Sequence, residues 1–342
     1  MRNINRGFLR FLTIAVAGAL LYYVFRVVPF ADVMRSLRSA QIGKVMLGLA
    51  LLLVTRIIAA VRMKLLTDKQ GLSFTLLEIF EISTTATFYG LILPGTVSGG
   101  LVRWYKLARQ GSSVGALASL TWDRLADATT VGIIGVLCWL LSRPAGAHAA
   151  VGPPLLAVTG VLVALYLAGF SQKVGELLLA PIETLARRLP FEWVHTRVGQ
   201  VAAAARRYHG LGTEFPYRVA ALSLAAQVAG AAAFFIWARA LGTSVGFAEL
   251  TWARSCYMLI ILLPITFAGL GAREGILILL LQPYGVSAAA AVALAFLQLG
   301  GTLVLAGLGG FFELKGLWRM HRLPQTGGTA ETAARANTST TP

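Results

Sequence analysis

The chain has 342 residues, 57% hydrophobic and only 13% charged, with a mean hydropathy of +0.72 and a net charge of +16. A soluble domain carries roughly 25% charged residues, so the deficit excludes a water-soluble globule and turns much of the surface toward hydrocarbon. The basic balance, with a pI near 10.6, is not read as nucleic-acid binding, because the Lys and Arg residues lie mainly between apolar runs, where they set topology and face anionic lipid.

Apolar runs recur at 8–28, 45–61, 128–141, 153–170, 219–238 and 287–312, and a span needs about 20 predominantly apolar residues. Run 8–28 follows Arg2, Arg6 and Arg10, the charge pattern of a signal peptide. It ends in VVPF without a small-residue cleavage site, so it reads as a retained first span that leads outward. Arg35, Arg38 and Lys44 then fall on the outer side, against the positive-inside rule. Run 45–61 returns, and Arg62, Lys64 and Lys69 read as inner loop charges.

Segment 70–113 begins and ends inside, because 114–141 must lead out to 142–153, where Arg143 is the sole charge. Run 153–170 comes back to a basic stretch at 171–215, with Lys173, Arg187, Arg188, Arg197, Arg206 and Arg207, interrupted by Pro181 and Pro190. It reads as a cytoplasmic connector of interfacial amphipathic helices or of loop. Run 219–238 leads out, 242–286 begins and ends outside, and 287–312 returns to an inner end bearing Lys315, Arg319 and Arg322. Residues 324–342 hold too little apolar surface to pack and are expected to be disordered.

The intervening segments 70–113 and 242–286 are each two full spans or a re-entrant hairpin, and they resemble one another. LPGTVSGGLVR at 93–103 and LPITFAGLGAR at 263–273 share Leu-Pro, a Gly five residues after the Pro and an Arg nine after it. Gly71-Leu-Ser-Phe and Gly242-Thr-Ser-Val precede them at nearly matching distances, and the flanking spans correspond in opposite orientation. The expected fold is therefore all-α and polytopic, with about six full spans and two broken or re-entrant helix pairs in an inverted-topology repeat. The membrane domain is expected over 1–323, with repeat halves near 45–141 and 216–314.

Non-helical backbone inside a membrane must be buried in protein or line a cavity, so the two breaks are the candidate site. Gly99 and Gly100 open the helix bearing Arg103; Gly269 and Gly271 open the one bearing Arg273. A helix start attracts anions, Gly lets backbone approach a ligand, and Arg offers bidentate donors to phosphate. Alternatively, both arginines snorkel to the interface, and Glu274 neutralises Arg273 or caps its helix. Asp123 and Asp127, with Arg124 between them, share one helix face. They are either an intramembrane functional pair or charges in water near the inner interface, and a single acidic pair is thin support for Mg²⁺.

Glu78, Glu81, Glu249 and Arg254 precede the breaks and read as interfacial. No Gly-x-Ser-x-Gly, His-Glu-x-x-His or phosphate-binding Gly-rich loop occurs, so the chain is not read as an enzyme. Cys138 and Cys256 sit in apolar segments without a disulfide pattern, and the four histidines lack metal-ligand spacing, so neither metal nor cofactor is expected.

The blocks LPGTVSGGLVRWYKLA, WDRLADA and LPITFAGLGAREG, with the spans between them, resemble the lysylphosphatidylglycerol synthetase transmembrane family, the flippase-like domain of MprF-type proteins, over roughly residues 8–320. Larger members join that domain to a soluble aminoacyl transferase. This chain ends soon after its last span, so the resemblance implies lipid translocation without synthesis. It also implies motif roles for Arg103, Asp123, Arg124, Asp127, Arg273 and Glu274. The expected partner is a membrane lipid headgroup, anionic or aminoacylated, and the expected place is the bacterial inner membrane with both termini cytoplasmic. A homo-oligomer is compatible with this reading. The alternatives are a small-solute or ion transporter and a membrane enzyme acting on a lipid-linked substrate.

Overall fold

The computed structural model describes residues 26, 28–92, 98–143, 146–188, 192–261 and 271–322. Among these residues the protein is helical throughout, without a strand. The helices are α1 (Phe30–Arg38), α2 (Ile42–Lys69), α3 (Leu76–Ile92), α4 (Ser98–Ala108), α5 (Ser113–Ser142) and α6 (Gly152–Phe170). They continue as α7 (Gln172–Arg188), α8 (Glu192–Arg206), α9 (Glu214–Ala240), α10 (Phe247–Ile261), α11 (Ala272–Leu281) and α12 (Ala288–Arg322).

Five helices are long and apolar enough to cross a membrane: Ile42–Lys69, Ser113–Ser142, His148–Phe170, Glu214–Ala240 and Ala288–Lys315. They coincide with five of the six expected runs, and the protein is a multi-pass membrane protein. The sixth, 8–28, lies outside the described residues apart from Arg26 and Val28. So do the tail 324–342 and both breaks, 93–97 with Pro94 and 262–270 with Pro264 and Gly269. The basic stretch 171–215 holds α7 and α8, which Arg206 clamps together through a two-pronged pair with Glu176 (2.7 and 2.9 Å).

Burial is arranged for an apolar solvent. Leu141, Leu167, Leu177, Leu279, Phe311 and Leu314 stand exposed, whereas Arg62, Thr84, Asp123, Gln227 and Arg254 are buried. Such a surface is stable in lipid and costly in water, and it leaves the polar residues to meet one another inside.

The core pair is α2 against α9, which run antiparallel. At one end the Gln41 N–H donates to the Ala240 carbonyl (3.0 Å); at the other Lys69 Nζ stands 5.5 Å from the Phe215 ring centre. Both helices stop in the same way. Gly71 (φ 74) and Gly242 (φ 76) take the left-handed conformation, and the next N–H reaches back to Thr67 or Ala238. That is the Schellman arrangement, which glycine adopts without a Cβ penalty. The Gly71 and Gly242 matched in sequence are therefore equivalent helix stops.

Each stop leads into a short helical hairpin. Thr75 and Glu78 cap α3 reciprocally, Glu78 accepting from the Thr75 N–H (2.7 Å) and the Glu78 N–H reaching the Thr75 hydroxyl (3.2 Å). α3 then pairs with α4, and α10 pairs with α11. The other pairings recur in the same order: α3 packs on α12 as α10 packs on α5, and α4 meets α5 as α11 meets α12. Both long crossings are close ones. A Cβ on Gly309 of α12 would lie 2.1 Å from the Thr84 carbonyl oxygen of α3, and one on Gly135 of α5 would lie 2.6 Å from Ser255 of α10. Small residues at such crossings replace the hydrophobic drive that lipid does not supply.

Candidate functional site

A polar cavity of about 420 Å³ lies where the hairpins meet the core pair. That volume falls within the range of ligand pockets, roughly 300–1,000 Å³. α2 supplies one wall, because Leu52, Thr55, Arg56, Ala59 and Arg62 recur at helical spacing and share a face. α4 contributes Gly99, Gly100 and Arg103, and α5 contributes Asp123, Arg124 and Asp127. From α9–α12, which repeat the pairing order of α2–α5, come Gln227 of α9, Arg254 and Met258 of α10, and Gln298 and Thr302 of α12. Gly100 and Arg124 are exposed, so the cavity is open to the surface. Gly99 fits because α3 is close: a Cβ there would stand 2.7 Å from the Ala86 carbonyl oxygen.

The charged groups form a chain across both series. Arg62, only 3% exposed, donates from Nε to Asp123 (2.9 Å) and from Nη1 to Asp127 (3.2 Å) and the Ser223 hydroxyl (2.9 Å). The other oxygen of Asp123 accepts from Arg103 Nη1 (3.0 Å). Asp127 also accepts from the Gln227 amide (2.8 Å), whose carbonyl oxygen accepts in turn from Arg254 Nη1 (3.1 Å). A continuous line of hydrogen bonds thus runs from α4 through α5, α2 and α9 to α10. The Arg62 guanidinium sits between the two carboxylates, the position that a metal shared by them would need.

Cations outnumber carboxylates here. Five arginines line the cavity with two aspartates. Arg56 makes no hydrogen bond or ion pair among the described residues, and its Nε is buried. The Nε atoms of Arg103 and Arg254 are likewise buried and unpartnered. Arg124 is exposed and pairs with no carboxylate among the described residues.

Of the residues expected from sequence, Gly99, Gly100, Arg103, Asp123, Arg124 and Asp127 come together on this one cavity. Gly271, Arg273 and Glu274 do not line it, and Gly269 lies outside the described residues. Arg273 is 6% exposed and Glu274 0%. Their side chains pair at 2.8 Å, and the second Glu274 oxygen accepts from the Gly271 N–H at 2.7 Å, capping α11. The neutralising and capping reading of Glu274 therefore describes its contacts.

Three arginines take places that the sequence did not indicate. Arg62, read as a loop charge, lies inside α2, because that helix continues to Lys69 instead of ending at residue 61. Arg254, read as interfacial, is 7% exposed in the cavity wall. Arg56 was not singled out at all, although an arginine within an apolar run is the signal of an intramembrane functional residue. His148, read as a loop or interfacial histidine, is buried and stacks on the Tyr284 ring at 5.2 Å.

A family model described as Lysylphosphatidylglycerol synthase TM region matches residues 10–310. No curated protein matches the chain.

Proposed function

Because the chain belongs to the lysylphosphatidylglycerol synthase transmembrane family, whose model covers most of its length, we propose that it is a lipid translocase: it carries a polar headgroup through the cavity while the acyl chains stay in the bilayer. The observation that carries this reading is an apolar exterior around an open, cationic cavity. Lipid surrounds the spans, and the cavity offers a headgroup both charge and hydrogen-bond donors.

The two series α2–α5 and α9–α12 are read as halves of an inverted-topology repeat, with the hairpins re-entrant and the site between them. The recurrent pairing order and the matched glycine stops support this. A headgroup entering past Arg124 meets Arg103 and Arg56, and the Asp123–Arg62–Asp127 cluster fixes the helices around it. The sequence holds no phosphate-binding Gly-rich loop, so lipid movement is read as gradient-coupled or passive. Translocation is favoured over catalysis because both carboxylates are committed to Arg62. The bacterial inner membrane, with the Lys69 end of the bundle cytoplasmic, fits the basic residues gathered at that end.

The test is reconstitution into liposomes carrying fluorescent phosphatidylglycerol, with an impermeant quencher added outside. The protein should expose inner-leaflet lipid faster than protein-free liposomes do. Arg103→Ala, which removes a cavity donor but leaves Arg62 on Asp123, should slow it about tenfold or more, the size of one charge-assisted hydrogen bond. Equal rates with and without protein refute translocation.

A further inference from the structure

The cavity's charges do not balance, and the imbalance points to a particular headgroup chemistry. Arg124 is exposed and can be met by water. The inward-facing charges are Arg56, Arg62, Arg103 and Arg254 against Asp123 and Asp127. The two carboxylates are shared between Arg62 and Arg103. Arg254 donates to the neutral Gln227 through Nη1 and pairs with no carboxylate, and Arg56 has no partner, among the described residues. Two guanidinium charges are thus left over in a place where an unpaired ion costs several kcal/mol.

Among the described residues no carboxylate besides Asp123 and Asp127 lines the cavity. The sequence has 14 acidic residues, and the undescribed breaks, LPGTV at 93–97 and LLPITFAGL at 262–270, contain none. Other carboxylates are taken elsewhere: Glu274 by Arg273, Glu313 by Lys106, Asp68 by Lys64 and Glu176 by Arg206. α3, α9 and α12 present only neutral polar groups to the cavity, among them Ser83, Thr87, Gln227, Gln298 and Thr302. No histidine lines it.

Resting on the translocase reading, we infer that the cavity selects a lipid phosphomonoester, a headgroup carrying close to two negative charges. Such a group bears about −1.5 to −2 at neutral pH. It therefore cancels both excess charges and offers three oxygens to the guanidinium forks of Arg56 and Arg254. A phosphodiester leaves one cation unpaired. An aminoacylated phosphodiester brings net positive charge into a cationic site and is disfavoured, even though the family is named for such a lipid. Free phosphate shares the monoester's chemistry and is the competing source.

The experiment uses the full chain in detergent micelles doped with phosphatidic acid, phosphatidylglycerol or lysylphosphatidylglycerol, read by thermal stabilisation. At about pH 7.5 phosphatidic acid should bind about tenfold or more tighter than either diester, the size of one charge-assisted contact. Near pH 5, below the second phosphate pKa of about 6, the preference should fall to within about threefold. This second reading uses the wild-type protein and needs no variant to fold. Arg56→Gln and Arg254→Gln should each cut the preference at pH 7.5 about tenfold.

Phosphatidylglycerol or lysylphosphatidylglycerol binding as tightly as phosphatidic acid overturns the inference. So does a preference that ignores pH. Stabilisation by millimolar inorganic phosphate equal to that by phosphatidic acid overturns the lipid assignment in favour of a soluble anion. Selective binding with no lipid movement in liposomes sinks the translocase reading alone; movement without selectivity sinks this inference alone.

Discussion

Arg62→Met tests whether the buried charge cluster holds the bundle together. Met matches much of the side-chain length but removes three donated hydrogen bonds, to Asp123, Asp127 and Ser223. Asp123, whose side chain is only 4% exposed, keeps Arg103, and Asp127 keeps Gln227. Breaking a buried pair costs about 3–5 kcal/mol. The surviving partners place this variant at the low end, about 3 kcal/mol. At the usual unfolding entropy per residue, a chain of this length loses roughly 1–2 °C of melting temperature per kcal/mol, so the loss should be roughly 3–6 °C. The assay is thermal unfolding in detergent, following the monodisperse fraction on size exclusion. Adding Asp127→Asn to Arg62→Met removes the carboxylate left without a guanidinium and should recover part of the loss, since neutralising both partners is far less costly than removing one. A single variant melting within about 2 °C of wild type, or a double variant worse than the sum of both singles, refutes the cluster's structural role.

The close crossing of α12 and α3 makes Gly309 intolerant. A Cβ there would stand 2.1 Å from the backbone of Thr84, which cannot swing aside, so Gly309→Leu should lose about 3 kcal/mol or more. Gly307, with nothing within 4 Å, should accept Leu with little change in the same melting assay. Glu274→Gln takes the carboxylate from the buried Arg273 and should destabilise by about 3 kcal/mol or more; chemical denaturation compared with the Glu274→Gln/Arg273→Met double variant would show partial recovery. Outside the spans, burial, with Arg206 nearby, holds the His209 imidazole below its usual pKa of 6.5, against an opposing pull from Glu176. Its contribution to stability is therefore complete above pH 6.5 and is lost as pH falls below it, because the unfolded chain binds the proton first. Thermal scans between pH 7 and 5 should show a decline that His209→Gln flattens. The carboxylate of Glu176, pulled below 4.5 chiefly by its hydrogen bonds from Arg206, adds a further loss only in more acidic solution.

Hydropathy, motif spacing and helical periodicity, all local properties, determined the lipid-facing class, five spans, the match of Gly71 with Gly242 and the shared face of Asp123 and Asp127. A run of apolar residues must be buried in lipid or protein whatever its neighbours are, and two carboxylates four apart on a helix must point the same way. The tertiary structure alone decided which charges meet. Arg62 stands far from Asp123 in sequence and Arg254 far from Gln227, and only the packing of α2, α5, α9 and α10 joins them. Seen locally, an arginine at the end of an apolar run looks like an interfacial charge, which is how Arg62 and Arg254 read. Arg273 illustrates the converse: its motif matches that of Arg103, yet the neighbouring Glu274 neutralises it, while Arg103 reaches across to α5 and the cavity. Whether an intramembrane arginine is a site or a strut depends on what stands within about 3 Å of it, and that distance is set by helices brought together from the two halves of the chain.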